Sequence, residues 1–238
     1  MPIARGVAEF ARPTYRRCFP WTGLDGLDRK ILPMLPKRPG VFIEAGANDG
    51  IQQSNTHGLE RSWGWSGILV EPIPSLAARC ACNRPSSHVV NAALVAPERE
   101  GAMVDIIDLG LMSLVPELRG VNDVERHIRA ARTTGARPHM TTVRGQTLSR
   151  VIDESRYTSI DFLSLDVEGY ELPALAGLDI ARHAPLIVLV ETIDIAAVSA
   201  ALGPRYRIPI SLTAHDTVWL REDWSPDNAE AFGMQTAI

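Results

Sequence analysis

Six carboxyl side chains sit in or just after apolar, strand-like runs. They are Glu44 and Asp49 with Val41–Ala45, Glu71 after Gly67–Val70, Asp166 and Glu168 after Ile160–Leu165, and Glu191 after Leu186–Val190. In an open α/β sheet, ligands bind at the carboxyl ends of the strands, so these acids are expected on one rim. Like charges held close raise one another's pKa unless a cation intervenes. One outcome is a carboxyl lifted toward neutrality that serves as a general base, with Asp166 and Glu168 as the candidates. A second is a divalent cation held by oxygen ligands. A third is structural, in which Asp166 and Glu168 only cap the following helix and touch a cofactor.

The turn after the first run is Gly46-Ala47-Asn48-Asp49-Gly50. Two glycines let the backbone turn sharply and let a ligand approach the main chain. A dinucleotide needs the spacing G-x-G-x-x-G around its pyrophosphate. Here the third glycine is missing, and carboxylates beside a pyrophosphate would repel it. Acids suit a cationic ligand, and S-adenosylmethionine carries a sulfonium and an ammonium against one carboxylate. On this reading Gly46 through Gly50 and Ser54 contact the donor, and Glu44 or Asp49 meets its ammonium. Glu71 accepts from both ribose hydroxyls, with Pro72 stiffening the bend behind it. Asn91 and Ala92 line the adenine pocket, and Asp166 reaches the methionine end.

These groups require an alternation of strands and helices to position them. Continuous apolar strands separated by helices indicate a parallel sheet covered on both faces. Helices are expected over Asp28–Leu35 with Leu27, Ile31 and Leu35 on one face, over Ser75–Arg84 with Leu76, Ala77 and Cys80 inward, and around Leu148, Val151 and Ile152. Another follows Tyr170 with Leu172 and Leu175 inward. The first helix is expected to begin near Ile51, with Ser54, Asn55 and Thr56 as cap or first-turn residues. His88–Leu94, Ala102–Leu109 and His139–Arg144 read as strands, and Tyr206–Ile210 with Thr217–Leu220 as an antiparallel hairpin at the sheet edge. Residues 1–40 read as an irregular, proline-broken leader or cap, with Arg16-Arg17 on its surface. Residues 41–238 form a single domain, in which 110–140 is an inserted lid or a surface excursion. His57 and the tryptophans Trp21, Trp63 and Trp65 are expected to pack rather than to react.

The 238 residues are 45% hydrophobic and 22% charged, an ordinary globular balance with room for a sizeable core. A net charge of −4 gives no electrostatic reason to expect nucleic acid. No apolar stretch reaches membrane-span length, and Arg5 and Arg12 are not followed by a secretory apolar core. Three cysteines, Cys18, Cys80 and Cys82, lie at no zinc spacing and are expected as reduced thiols in a cytoplasmic protein.

The chain resembles the FkbM-type S-adenosylmethionine-dependent methyltransferases. The matching segments, in order, begin with Phe42–Gly50, Ser54-Asn55-Thr56, Gly64–Pro72 and Asn83-Arg84-Pro85. Asn91-Ala92-Ala93, Leu165–Glu171 and Val190-Glu191-Thr192 complete them. The resemblance implies a Rossmann-like class I methyltransferase fold with a mostly parallel seven-stranded sheet, an antiparallel last strand and helices on both faces. It also implies O-methylation of a sugar, glycan or natural-product hydroxyl. Analogy of fold with catechol-type O-methyltransferases points to Asp166 and Glu191 as holders of Mg2+. N-methylation of an amine, or a cofactor-binding partner subunit without chemistry, are the alternatives, and a homo-oligomer is compatible with either. An NAD-dependent dehydrogenase is disfavoured by the glycine spacing and the acidic loop.

Overall fold

The computed structural model describes residues 20–109, 113–116, 121–133, 138–207 and 209–226. Arg5, Arg12, Arg16-Arg17 and Cys18 lie outside them. The elements in chain order are α1 (Leu27–Lys30), β1 (Val41–Ala45), α2 (His57–Trp63), β2 (Ser66–Val70), α3 (Pro74–Asn83), β3 (His88–Val90), β4 (Ala93–Leu94) and β5 (Met103–Asp108). They continue with α4 (Val121–Thr133), β6 (His139–Gln146), α5 (Leu148–Asp153), β7 (Phe162–Leu165), α6 (Glu171–Ala176), α7 (Ile180–His183), β8 (Ile187–Glu191), α8 (Ile195–Leu202), β9 (Ile210–Ser211) and β10 (Asp216–Leu220).

Seven strands form one sheet in the order β3-β2-β1-β7-β8-β10-β9. All neighbours are parallel except β10, which runs antiparallel to both β8 and β9. This is the doubly wound, Rossmann-like arrangement implied by the family resemblance, and β10 is the antiparallel last strand. Strand residues alternate between two cores, as the period of two requires. Phe42, Leu69, Phe162 and Leu189 face one cluster with Leu27, Ile31, Leu35 and Leu59. Ile43, Ile68, Leu163 and Val188 face the other with α5, α6 and α8. The order reverses between β1 and β7, so the loops after these two strands face each other at the switch point where α/β sheets bind ligands.

Several local expectations change in three dimensions. The strand expected over 88–94 splits into β3 in the main sheet and β4 in a second, three-stranded sheet of order β4-β6-β5. The break falls at Asn91, whose side-chain amide donates to Glu71 O at 2.9 Å and Pro72 O at 2.8 Å instead of extending a ladder. The helix expected over 28–35 is the single turn α1 followed by a 3-10 turn at Leu32–Met34, because Pro33 offers no amide to continue it. Its apolar face is nevertheless buried as expected. The first helix starts at His57, with Ser54 Oγ accepting from the amides of Thr56 and His57. Leu172 points outward, and Ala174 takes its place beside Leu175 in the core.

Trp65 is buried, and Trp21 meets Trp63 edge to face at 6.4 Å. His57 is buried with Nδ1 on Pro20 O at 2.9 Å, and burial lowers its pKa. In the 110–140 region α4 rests Val124 and Ile128 on Ile107, Leu109 and Leu114. Among the described residues no helix is long and apolar enough to cross a membrane.

Candidate functional site

A cleft of about 730 Å³ opens at the switch point, within the range of small-molecule sites. Of the expected donor contacts, Glu44, Gly46, Asn48 and Ser54 line it from the β1 side, Glu71, Pro72 and Ala92 from the β2 side, and Asp166 from the β7 side. Glu168 and Glu191 line it too. Ala47, Asp49, Gly50 and Asn91 are not part of the lining.

The turn after β1 is shaped by its glycines and by the neighbouring strand. Gly46 has φ +81°, and a Cβ there would lie 1.9 Å from Asp166 O, so only glycine lets the two loops approach. Gly46 N and Ala47 N donate to Val70 O at 3.0 and 3.1 Å, which turns these amides away from a ligand. Asn48 adopts φ +49° and donates its amide to Glu71 Oε2 at 2.7 Å. Asp49 Oδ1 accepts from Ile51 N and Gln52 N at 3.0 and 2.8 Å, an Asx turn that spends the carboxylate on its own loop. Asp49 Oδ1 thus holds the turn, and Asp49 lies outside the cleft lining.

Glu44 is buried and accepts from Ser54 Oγ (2.7 Å), Asn55 N (2.6 Å) and Thr56 Oγ1 (2.6 Å). Three of the carboxylate's roughly four acceptor sites are thus committed to residues 54–56. Around the same segment lies Arg84, 1% exposed. Its Nε pairs with Glu60 at 2.7 Å, and its terminal nitrogens donate to Gly50 O (2.9 Å), Ser54 Oγ (3.3 Å) and Thr56 Oγ1 (3.2 Å). The guanidinium lies 5.4 Å from the Phe42 ring centroid. Sequence reasoning gave Arg84 no role. Its only signal was its place in the Asn83-Arg84-Pro85 match.

Glu71 is buried at the end of β2 and accepts from Asn48 N and, at 2.8 Å, from Ile73 N. Burial pushes its pKa up to about 7, against the lowering effect of those two amides. The group changes charge near neutrality, on the cleft wall.

On the opposite wall, the Asp166 carboxyl is hydrogen-bonded to that of Glu191. Asp166 keeps an exposed surface toward the cleft water while protein encloses it on the other sides. That enclosure, then the Glu191 hydrogen bond, then the charges of Glu191, Glu168 and Glu171 hold it well above the usual carboxylate range. Glu168 sits beside it at φ +55°, a left-handed conformation that costs an L-residue about 1–2 kcal/mol. The turn is fixed by Glu171, buried, whose Oε1 accepts from Val167 N (3.2 Å) and Gly169 N (2.9 Å). No role was assigned to Glu171 from sequence, although an acid in a first helical turn is a recognised capping signal.

The expected Mg2+ site is not supported. Asp166 and Glu191 lie side by side, which raises the proton affinity of Asp166. Among the described residues no group of three His, Cys, Asp or Glu side chains is placed to hold a metal ion.

A family model described as "Methyltransferase FkbM domain" matches residues 44–200. The structure is similar to methyltransferase FkbM from Methylobacillus flagellatus KT, with 14% identity and a TM-score of 0.47 over 76% of this chain and 43% of that one. A TehB-like SAM-dependent methyltransferase from Corynebacterium glutamicum ATCC 13032 gives 13% identity and a TM-score of 0.42 over 82% and 87% of the two chains. The O-methyltransferase from Bacillus cereus in complex with SAH gives 11% and 0.42 over 90% and 84%. The chain thus spans less than half the length of the first of these structures. A search of curated proteins found no match. With its family match running from Glu44 at the end of β1 into α8 and its strands in the doubly wound order, the chain belongs to the FkbM methyltransferase family.

Proposed function

We propose that the chain moves a methyl group from S-adenosylmethionine to a hydroxyl of a sugar, glycan or natural-product small molecule. The observation that carries this reading is the Asp166–Glu191 carboxyl pair in an acidic cleft beside the close-approach glycine Gly46. An aliphatic hydroxyl barely ionises at neutral pH and needs a base as it attacks. Enclosure and the neighbouring Glu191 raise the proton affinity of Asp166, so once ionised it can take the hydroxyl proton as the methyl group transfers. Glu168, on the same turn, is the second candidate for that task. When bound, the donor supplies an electrophilic methyl group on a positively charged sulfur.

The other residues bind and orient. Ionised Glu71 takes the ribose hydroxyls with the acceptor capacity left by Asn48 N and Ile73 N. Gly46 keeps the wall low enough for the donor to lie against the main chain. Ser54, locked to Glu44, holds the edge of the turn, and Pro72 and Ala92 flank the adenine. Leu24 and the segment 113–115 also line the cleft. This supports residues 1–40 as a cap and 110–140 as a covering insertion on a single domain of 41–238.

Incubation with donor labelled in its methyl group, over metabolite extracts and a panel of sugars and natural products, tests the reading. The expected result is label in a base-stable ether product. Label that stays on the donor, while the protein binds S-adenosylhomocysteine normally, would instead identify a partner subunit without chemistry.

A further inference from the structure

We propose that the methyl acceptor carries no anionic group and has an apolar face, and that Leu24 meets that face. The inference rests on the methyltransferase reading above and narrows its substrate class to neutral or cationic hydroxyl compounds. Uronates, phosphosugars and nucleotide-activated sugars fall outside it.

Charge carries the first half. The cleft is lined by Glu44, Glu71, Asp166, Glu168 and Glu191, and among its described lining residues the single cationic side chain is Arg79. Even with one of these five acids protonated, Arg79 and the net positive charge of a bound donor still leave the cleft negative. An acceptor anion within a few ångströms of two such carboxylates is repelled strongly enough to lose on the order of tenfold to a hundredfold in productive binding. The rest of the lining is largely apolar and includes Ile106, Leu109, Leu114 and Val115 from β5 and the segment beyond it. A carbohydrate or natural product with a hydroxyl on one side and a hydrocarbon face on the other matches both kinds of lining.

Leu24 carries the second half. It lines the cleft, yet it is 58% exposed, more than Leu172 at 41%, the other exposed leucine among the described residues. Its position is not accidental slack. The residues before it are tied to the β1–α2 connection by Thr22 Oγ1 on Ser54 O (3.3 Å), by a backbone bridge between Gly23 and Gln53, and by Pro20 O on His57. Gly23 N donates to the buried Asp28 at 2.8 Å, and Trp21 packs so tightly on Gly58 that a Cβ there would lie 2.2 Å from the indole. A strap anchored at this many points holds an apolar side chain at the lip of a polar cleft. A ligand face laid against Leu24 would remove that apolar surface from water.

The labelled product of the transfer assay is separated on an anion exchanger and on a reversed-phase column. The inference expects it to pass the exchanger and to be retained by the reversed phase. A product bound by the anion exchanger overturns it. Leu24→Ala, at an exposed position that folding does not depend on, should raise the acceptor KM about tenfold while the affinity for S-adenosylhomocysteine stays within about twofold. An unchanged acceptor KM overturns the role of Leu24. Failure of S-adenosylhomocysteine to bind the wild-type protein would count against the methyltransferase reading itself, so the two failures are distinguishable.

Discussion

Asp166→Asn lowers the rate of methyl transfer by about 10²- to 10⁴-fold, the usual contribution of a positioned general base. The amide keeps the shape of the side chain but cannot accept the hydroxyl proton. Affinity for S-adenosylhomocysteine should change by less than about tenfold, because its ribose rests on Glu71 and the substituted amide oxygen can still accept a hydrogen bond. The pH profile supplies a second signature. Enclosure and the Glu191 hydrogen bond hold Asp166 above the usual carboxylate range, so the base form is lost as pH falls through that raised value. The wild-type rate should therefore climb with pH above the ordinary carboxylate range, and Asp166→Asn should flatten that limb. Near-normal turnover in Asp166→Asn, with a large loss in Glu168→Gln, would move the base two residues along the same turn. Near-normal turnover in both would remove the base from this turn altogether.

Arg84→Ala should cost about 3–5 kcal/mol of stability, the range for breaking a buried ion pair from one side. Glu60 would be left without its guanidinium, and Gly50 O, Ser54 Oγ and Thr56 Oγ1 would each lose a donor. For a domain of this size the loss corresponds to a fall of roughly 10 °C in melting temperature, readable by calorimetry. Binding should suffer beyond stability, because the same guanidinium joins the Gly50 end of the turn to the segment that Glu44 holds. Arg84→Lys should rescue little, since an ammonium cannot span those directions as a planar fork does. A melting temperature within 2–3 degrees (about the shift from 1 kcal/mol) would show that water or neighbouring groups replace the arginine.

The features legible in sequence are those set by local pattern. Apolar runs gave the main strands, glycine spacing marked the turn after β1, and five of the six acids at the strand ends do collect around one cleft. The helical face of Leu27, Ile31 and Leu35 and that of Leu148, Val151 and Ile152 were both readable from period alone. What escaped depends on long-range partners. Glu44 and Asp49 look alike beside a glycine turn, yet one binds residues 54–56 and the other its own loop, and no periodicity distinguishes them. Arg84 reads as a surface charge until the fold closes Gly50 over it. Asn91 lies within a strand pattern, but its amide finds two carbonyls of the neighbouring loop and ends the strand. The helix Ile195–Leu202 had no amphipathic stripe to announce it. Its signals were the ends: Asp194 Oδ1 accepts from Ala197 N at 2.9 Å, and Gly203 stops it.

The central claim is that the acidic rim holds S-adenosylmethionine with its ribose on Glu71. A calorimetric titration with S-adenosylhomocysteine, with NAD as comparator, tests it most directly. Ribose hydroxyls donate to the ionised carboxylate, and the free protein holds Glu71 at about 7. Binding should therefore saturate at one site, tighten about tenfold between roughly pH 6 and pH 8, and lose that dependence in Glu71→Gln. NAD should give no saturable heat. Preferential binding of NAD, or no binding of S-adenosylhomocysteine at either pH, would contradict the account.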